Sequence, residues 1–465
     1  MRIRLRAVVL LALLALPLAS RALSPEEAQL LFKQAEQGEA AALDGLKRAA
    51  ENYDAEALYR LGTLLYDGKV LRRNPGQAVD LFNRAAEKKH AAAQNALGYL
   101  HQHGIGVEKS ERAAAQWYER AALLGNAEGQ YNLGWLLEHG IGVVKGAEQA
   151  LFWYRKASDE GHALAPMRIA MLYDSGALGD AERGEAFSWY RTAAERGDSM
   201  AQFRLAETLI RPDAMSAISA EAVVANVAEG AAWLEKSAAQ GNPYAQYLLA
   251  TLITDDDVHP RALARALKLA VAAAERGHAG AQRFAAFLFE AGQGTTPDAA
   301  TAARWYREAA THGDLEAQHA LALLLDAGPK EIRDPKEAAS WYEKLAGAGR
   351  HEVNLNLGKL YEEGRGVERD PKEALRRYET AAEAGYAEAF FRIAVLYDEG
   401  RGVPRDTRRA LDWFSKAAEK GHEGAKEFIA RLIRPMERRD DPFGSRFGGS
   451  AFGAAGSSGF MNPWR

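Results

Sequence analysis

The sequence predicts an all-α protein, a superhelical α-solenoid of about ten helix-turn-helix repeats of 36 residues. Three observations support this prediction. One position recurs along the chain at a fixed interval, small residues recur five residues after it, and glycine recurs eight residues after it. A period of roughly 20–50 residues is typical of stacked units that bury their apolar faces against one another.

The recurring position is most often tryptophan. Eight of its nine intervals are 36 residues long, and the remaining interval, from Trp189 to Trp233, is 44 residues long. In chain order, the position holds Leu81, Trp117, Trp153, Trp189, Trp233, Leu269, Trp305, Trp341, Arg377 and Trp413. Five residues later the chain has nine alanines and one serine, which predicts a close approach between packed helices.

The second helix of each repeat has predicted start and end signals. Glycine, which readily adopts the left-handed conformation that ends many helices, stands eight residues after the recurring position in nine of ten repeats. Seven residues before that position, seven repeats carry a residue that can cap a helix: Asn74, Ser110, Asn226, Asp298, Asp334, Asp370 and Asp406. We therefore expect a second helix of about 14 residues in each repeat.

The first helix of each repeat is predicted by apolar and small residues at helical spacing just after the glycine turn. One copy contains Ala93, Leu97 and Leu100 at this spacing. The segment stops at a further glycine, such as Gly104 or Gly140. Each repeat is therefore predicted to contain two antiparallel helices.

Short motifs between these helices resemble those of a known repeat family. The loops read GIGV at 104–107 and 140–143 and GRGV at 364–367 and 400–403, and WYERAALLG is typical of the second helix. Over residues 55–433 the chain resembles the Sel1-like repeats, relatives of the tetratricopeptide repeat that have a longer loop between their helices. The resemblance implies an α-solenoid used for protein–protein contact, and it implies no reaction.

The array is irregular near its middle. The stretch 252–270 lacks the glycine loop, and the repeat before it carries the eight-residue insertion, so we expect two subarrays that meet near residue 215. The predicted regions are a signal peptide (1–22), N-terminal capping helices (23–54), a first subarray of repeats (55–210), an irregular junction (211–262), a second subarray with a C-terminal cap (263–433) and a disordered Gly/Ser/Phe-rich tail (434–465).

The first 22 residues have the order of a secretory signal. Arginines precede an apolar run from Ala7 to Leu18, and small residues follow it. This run is too short to span a bilayer comfortably, and we expect cleavage after Ala22. The signal predicts export to the periplasm as a soluble protein with no membrane span after cleavage. Because the chain has no cysteine, it should form no disulfide and should not be a lipoprotein.

The charge balance argues against a nucleic-acid partner. The chain has a net charge of −4, which becomes −8 without the four arginines of the predicted signal. Binding to a phosphate backbone favours a basic stripe, and the sequence has no dominant one.

No arrangement of residues predicts a reaction, a cofactor or a metal site. Asp255, Asp256 and Asp257 lack the glycine turn of a calcium loop. His101 and His103 diverge by about 200° on a helix, whereas zinc needs three or four convergent ligands. Nucleophile-elbow, phosphate-loop and metalloprotease signatures are missing from the sequence. Three histidines that follow the helix-ending glycine are interpreted as structural: His162, His278 and His422.

These observations favour an exported, non-enzymatic scaffold that holds a protein or peptide on its concave face. The resemblance to the Sel1-like repeats implies, by association only, a role in envelope polymer secretion or signalling. The alternative is an envelope protein that binds peptidoglycan or polysaccharide through aromatic side chains. An enzyme whose site is assembled from distant residues is the third hypothesis.

Variation between repeats predicts where the partner binds. Eighteen residues after the recurring position, on the next first helix, the residue type changes from repeat to repeat, as expected where packing imposes no constraint. The first helices line the concave face of related solenoids. Tyr99, Trp135 and Met171 should therefore form a contiguous apolar patch, with His103 and His139 at its rim. Alternatively, these side chains fill gaps between helices.

Overall fold

The computed structural model describes residues 23–180, 183–210, 220–256 and 259–437. The predicted signal peptide, the predicted meeting point near residue 215 and the part of the predicted tail beyond residue 437 lie outside these residues. Within them, the chain forms 23 α-helices and two short 3-10 helices, and no strand. The predicted all-α solenoid is confirmed.

The chain divides into two compact units between Asp256 and Asp257. The helices of the first unit are α1 (Pro25–Glu36), α2 (Ala40–Glu51), α3 (Ala55–Asp67), α4 (Pro75–Glu87), α5 (Ala91–His103), α6 (Glu111–Leu123), α7 (Ala127–His139), α8 (Ala147–Asp159), α9 (Ala165–Asp174), α10 (Glu185–Glu195), α11 (Ser199–Ile210), α12 (Ala220–Ala239) and α13 (Pro243–Asp256).

The second unit continues the same alternation of first and second helices. Its helices are α14 (Pro260–Glu275), α15 (Ala279–Ala291), α16 (Ala299–Thr311), α17 (Leu315–Ala327), α18 (Pro335–Gly347), α19 (Asn354–Glu363), α20 (Pro371–Glu383), α21 (Ala387–Glu399), α22 (Thr407–Glu419) and α23 (Glu423–Glu437). The 3-10 helices are Lys330–Ile332 and His351–Val353. From α3 to α21 the first helices carry odd numbers, and the second helices, α4 to α22, carry even numbers.

The predicted capping residues start the second helices, with one exception. In six of the seven, the side chain accepts a hydrogen bond from the backbone N–H of a residue two or three positions later in the chain. These six are Asn74, Ser110, Asp298, Asp334, Asp370 and Asp406. Asn226 instead lies inside α12, so its predicted role as a cap was wrong. The residues before Asn226 are mostly alanine and valine, which are compatible with a helix, and α12 extends back to Ala220.

The glycine predicted to end each second helix adopts the left-handed conformation. In the nine repeats that have it, its φ lies between 81° and 97°. In the first repeat Lys89 takes this place, with a φ of 59°. The end signal read from the sequence is therefore confirmed, and Lys89 shows that the turn itself persists when glycine is absent.

A buried glutamine joins consecutive repeats. Near the start of α5, the Gln94 amide donates a hydrogen bond to the Ala86 carbonyl at the end of α4, over 3.2 Å. The same bond, over the same eight-residue separation, is made by Gln130, Gln202, Gln246, Gln282 and Gln318. The carbonyl belongs to the alanine position, where the predicted close approach leaves room only for a small residue.

Within a repeat, the closest contact joins a small residue of the first helix to an aromatic ring of the second. A Cβ added at Gly98 of α5 would lie 2.6 Å from ring atoms of Tyr118 in α6. Tyr118 is buried and donates a hydrogen bond to the Gln102 side chain over 2.8 Å. Equivalent bonds run from Tyr154 to Glu138 and from Tyr378 to Glu362.

The glycine loops pack each repeat against the one before it. Gly142, the second glycine of its GIGV loop, has a φ of 69°, and a Cβ there would lie 2.3 Å from the Glu111 carbonyl oxygen at the start of α6. Glycine is needed at this position both for the left-handed conformation and for the close approach. Ile141 and Val143, which flank it, pack against the buried cluster formed by α6 of the preceding repeat and α7 of their own.

Two of the three histidines interpreted as structural cap first helices. The Nδ1 atoms of His278 and His422 accept hydrogen bonds from the backbone N–H groups of Ala281 and Ala425, over 3.0 and 3.1 Å. His162 does not cap a helix and stacks on Tyr131 instead, with 4.2 Å between the ring centroids. A ring nitrogen that accepts a hydrogen bond has no proton, so each cap requires Nδ1 to be unprotonated.

The cap at His278 should make stability depend on pH. Burial lowers the pKa of His278 below its usual value, so the folded state binds fewer protons than the unfolded state between the two pKa values. The stability contributed by the His278 cap is complete above the pKa of histidine in the unfolded chain, about 6.5. It is lost as the pH falls toward and through the lower pKa of His278 in the folded state. We expect His278→Asp to abolish this contribution to the pH dependence, because Asp314 makes the same cap in the next repeat.

The comparison requires thermal unfolding of both proteins between about pH 7.5 and pH 5.5, a range in which an aspartate cap stays ionised. On acidification the wild type should lose up to about 1 kcal/mol relative to the variant. Parallel pH profiles for the two proteins would contradict the assignment.

Candidate functional site

The five residues predicted to bind a partner lie on three successive first helices of the first unit. Tyr99 and His103 are on α5, Trp135 and His139 on α7, and Met171 on α9. Their side chains differ in exposure. Tyr99 and Met171 are 42% and 40% exposed, Trp135 is half-buried, and both histidines are exposed.

Each predicted aromatic pairs with the histidine one turn further along its own helix. The ring centroids of Tyr99 and His103 lie 4.3 Å apart. Those of Trp135 and His139 lie 4.4 Å apart in a stacked arrangement, and His139 Nδ1 is 2.8 Å from the Trp135 carbonyl oxygen. These intrahelical contacts hold the rings against the helix surface.

Trp135 also takes part in packing between repeats. It lies against the buried cluster of α6 and α7, which includes Tyr118, and against the next cluster, which includes Tyr154 and Ile169. Trp135 thus packs between repeats and is only partly exposed, whereas Tyr99 is 42% exposed.

A groove of about 500 Å³ lies beside Tyr99, between α3, α5 and α7. We call it the first-helix groove. Its polar and aromatic lining includes Tyr59, Tyr66, Asp67, Tyr99, Glu128 and Asn132. This volume is within the range of small-ligand and side-chain sites.

A hydrogen bond joins two walls of the groove. The Asn132 amide of α7 donates to the Asn95 side-chain oxygen of α5 over 3.0 Å. Burial, followed by the neighbouring Tyr99, raises the pKa of the Tyr66 phenol. The groove therefore presents hydroxyl, amide and carboxylate groups around aromatic rings.

Sequence reasoning missed Tyr66 and the two asparagines. In later repeats the position of Tyr66 carries the acceptor that binds the buried tyrosine of the second helix, as Gln102 and Glu138 do. In the first repeat that buried ring is Phe82, which has no hydroxyl group, so the position is free to carry Tyr66. The joint presence of Tyr66 and Phe82, where later repeats have an acceptor and a tyrosine, could have indicated this site from the sequence.

Among the described residues, no group of three or more His, Asp or Glu side chains is arranged to hold a metal ion. The described helices also include none that is both long and apolar enough to cross a membrane.

The repeat geometry matches one family along most of the chain. Ten consecutive segments match the model of the Sel1 repeat: 55–90, 91–126, 127–162, 163–198, 199–242, 243–278, 279–314, 315–349, 351–386 and 387–422. The chain belongs to the Sel1 repeat family. Sel1 repeats generally form scaffolds that mediate protein interactions, and the family is generally non-enzymatic. The helices α1 and α2 precede the first Sel1 repeat, and α23 follows the last.

Solved structures of Sel1 repeat proteins are similar to this chain. One is c5321, a protective antigen of uropathogenic Escherichia coli strains with an SLR fold; it is 25% identical, covers 92% of this chain and 99% of its own, and has a TM-score of 0.63. A Sel1 repeat protein from Oxalobacter formigenes is 26% identical over 62% of this chain and 98% of its own, with a TM-score of 0.37. No curated protein shows a significant match.

Proposed function

We propose that this chain is an exported, non-enzymatic scaffold that holds a protein or peptide partner in the cell envelope, possessing no cofactor. The partner binds the concave face made by the first helices of the first unit, at Tyr99, His103, Trp135, His139 and Met171. The observation that carries this proposal is the first-helix groove, where an exposed tyrosine adjoins a cavity of about 500 Å³. Export rests on the signal-like first 22 residues.

Rigid presentation explains how such a scaffold works. The asparagine pair across α5 and α7, and the glutamine bonds between repeats, fix the helices before a partner arrives. A preformed surface loses little conformational entropy on binding, so a few aromatic anchors supply most of the affinity. Participation in envelope polymer secretion or signalling is part of the proposal.

Binding of a glycan is a second candidate function. Tyr99 is exposed beside the Asn95 and Asn132 amides, a combination that suits stacking on a sugar ring with hydrogen bonds to its hydroxyls. Isothermal titration of the chain with soluble peptidoglycan fragments distinguishes the two: heat that disappears with Tyr99→Ala favours the glycan.

A cross-linking experiment tests the location of the partner. With the photoreactive residue p-benzoylphenylalanine at position 99, the chain should form a discrete cross-linked product in cells that express it. The control places it at position 152, because Phe152 is a 52% exposed aromatic on a second helix, α8. Equal cross-linking from both positions, or none from position 99, would contradict the assignment.

Alanine substitutions should give the matching affinity loss. We expect Tyr99→Ala and Trp135→Ala each to weaken binding of the cross-linked partner by about 1–3 kcal/mol, with helix content unchanged. Phe152→Ala should bind normally. If Trp135→Ala lowers the melting temperature and Tyr99→Ala leaves binding intact, these aromatics serve packing and the binding face lies elsewhere.

A further inference from the structure

The first-helix groove has an uneven charge. Two carboxylates, Asp67 and Glu128, line it, and no lysine or arginine does. The Glu128 side chain is 63% exposed, and its described partner is His162, whose Nε2 lies 3.3 Å away.

Two arginines, Arg60 and Arg73, lie over groove tyrosines, at 5.3 Å from the Tyr59 ring centroid and 5.9 Å from that of Tyr66, and each has a partner of its own. Arg60 forms a 2.8 Å ion pair with Glu56. Arg73 donates from Nε to the Tyr66 carbonyl over 3.2 Å. Neither arginine lines the groove, so the carboxylates remain available to a ligand.

The position of Asp67 makes a cation more favourable still. Asp67 is the last residue of α3, where the carbonyl groups of the final turn give the helix end a partial negative charge. A carboxylate at this end is repelled by the helix dipole, and a bound cation relieves that repulsion.

The aromatic walls suit the same kind of ligand. Tyr66 and Tyr99 both line the groove, and Tyr99 is 42% exposed. Tyrosine faces attract ammonium and guanidinium groups, and their apolar rings pack against the aliphatic stem of such side chains.

Two other cavities of the described chain lack this combination. The 330 Å³ cavity on α8 contains Arg155 and Lys156 as well as two acidic residues. In the 220 Å³ cavity between α21, α22 and α23, Glu399 is paired with Arg401 and Asp398 lies 3.9 Å from Arg405.

We propose that the first-helix groove binds an arginine or lysine side chain that a peptide segment presents between apolar neighbours. The cation lies between Asp67 and Glu128 and against Tyr99, and the apolar neighbours fill the remaining volume. This inference rests on the proposed function and names the chemistry of the partner.

Selection of peptides on the full chain tests the inference. Random dodecapeptides displayed on phage are selected against the immobilised protein, and the enriched peptides are synthesised and titrated. We expect the enriched peptides to contain arginine or lysine beside apolar residues and to lose affinity with Tyr99→Ala. Replacing arginine by citrulline, its neutral analogue, should weaken binding about tenfold.

Matched double variants identify the carboxylates. Asp67→Asn with Glu128→Gln should weaken binding about tenfold, and added salt should reduce that difference. Glu148→Gln with Asp159→Asn changes the net charge equally at the α8 cavity and should bind as the wild type does.

The possible failures are distinguishable. Peptides that require Tyr99 but contain no cation would overturn the charge inference and leave the proposed binding face in place. A selection in which no peptide depends on Tyr99 would overturn both. Equal losses in the two double variants would show a non-specific charge effect, which also overturns the inference.

Discussion

Gly98→Leu should unfold the repeats around α5 and α6. A Cβ at this position already lies 2.6 Å from the Tyr118 ring, and leucine adds three further carbons to a fully packed interface. Tyr118 is 1% exposed, so its ring is surrounded by other groups and can shift only slightly. The expected cost is about 3 kcal/mol or more, at the upper end for overpacking.

Gly98→Ala is the matched control. Alanine occupies the equivalent position in repeats that keep the tyrosine, as in Ala170 with Tyr190 and Ala322 with Tyr342. A small shift of the ring therefore accommodates one carbon, and a loss below about 1 kcal/mol is expected. Hydrogen exchange of the α5 and α6 amides measures both effects locally, which matters because a repeat array need not unfold in one step. Wild-type protection in Gly98→Leu would refute the packing argument.

Tyr378→Ala should cause the second large loss, of about 3–5 kcal/mol. Tyr378 is fully buried, and truncation leaves a cavity between α19 and α20. It also removes the 2.6 Å hydrogen bond to Glu362, a carboxylate that is itself buried. Arg401, 2.9 Å from Glu362, keeps part of that carboxylate satisfied.

Tyr378→Phe separates the two contributions. Phenylalanine stands at the equivalent position in two other repeats, as Phe82 and Phe414, so the ring itself should fit. We expect a loss of about 1–2 kcal/mol from the missing hydroxyl alone. Denaturant unfolding of both variants against the wild type checks the order, and a phenylalanine variant as unstable as the alanine variant would mean that the hydrogen bond outweighs the packing.

Sequence patterns predicted the helix boundaries correctly where a capping residue or a glycine fits only one local conformation. The capping aspartates, such as Asp370, and the helix-ending glycines act on their own turn, so sequence spacing was sufficient to place them. Asn226 failed because a capping residue can also lie inside a helix when the residues before it favour helix. The family match then confirmed the period along residues 55–422.

The candidate site was harder to predict, because it depends on contacts between repeats. The exposure of Tyr99 followed from variation at its position. The pairing of Asn95 with Asn132, 37 residues apart, depends on the angle between neighbouring first helices, which no single repeat specifies. The special role of Tyr66 was detectable only together with Phe82, because each differs from the residue type that most other repeats carry at the equivalent position.

The glutamine bond between repeats has a consequence for how the length of such a chain changes over generations. The bond spans eight residues and is made entirely at one boundary, as at Gln130 and the Ala122 carbonyl. When one whole repeat is duplicated or lost, the repeats on either side of the change meet at a new boundary, and the same glutamine bond can form there. Inserting a single residue would turn the following helix by about 100° and aim the glutamine away from its acceptor. Recombination between repeats can therefore lengthen or shorten the array in steps of one repeat, whereas insertions or deletions of a few residues are confined to the loops.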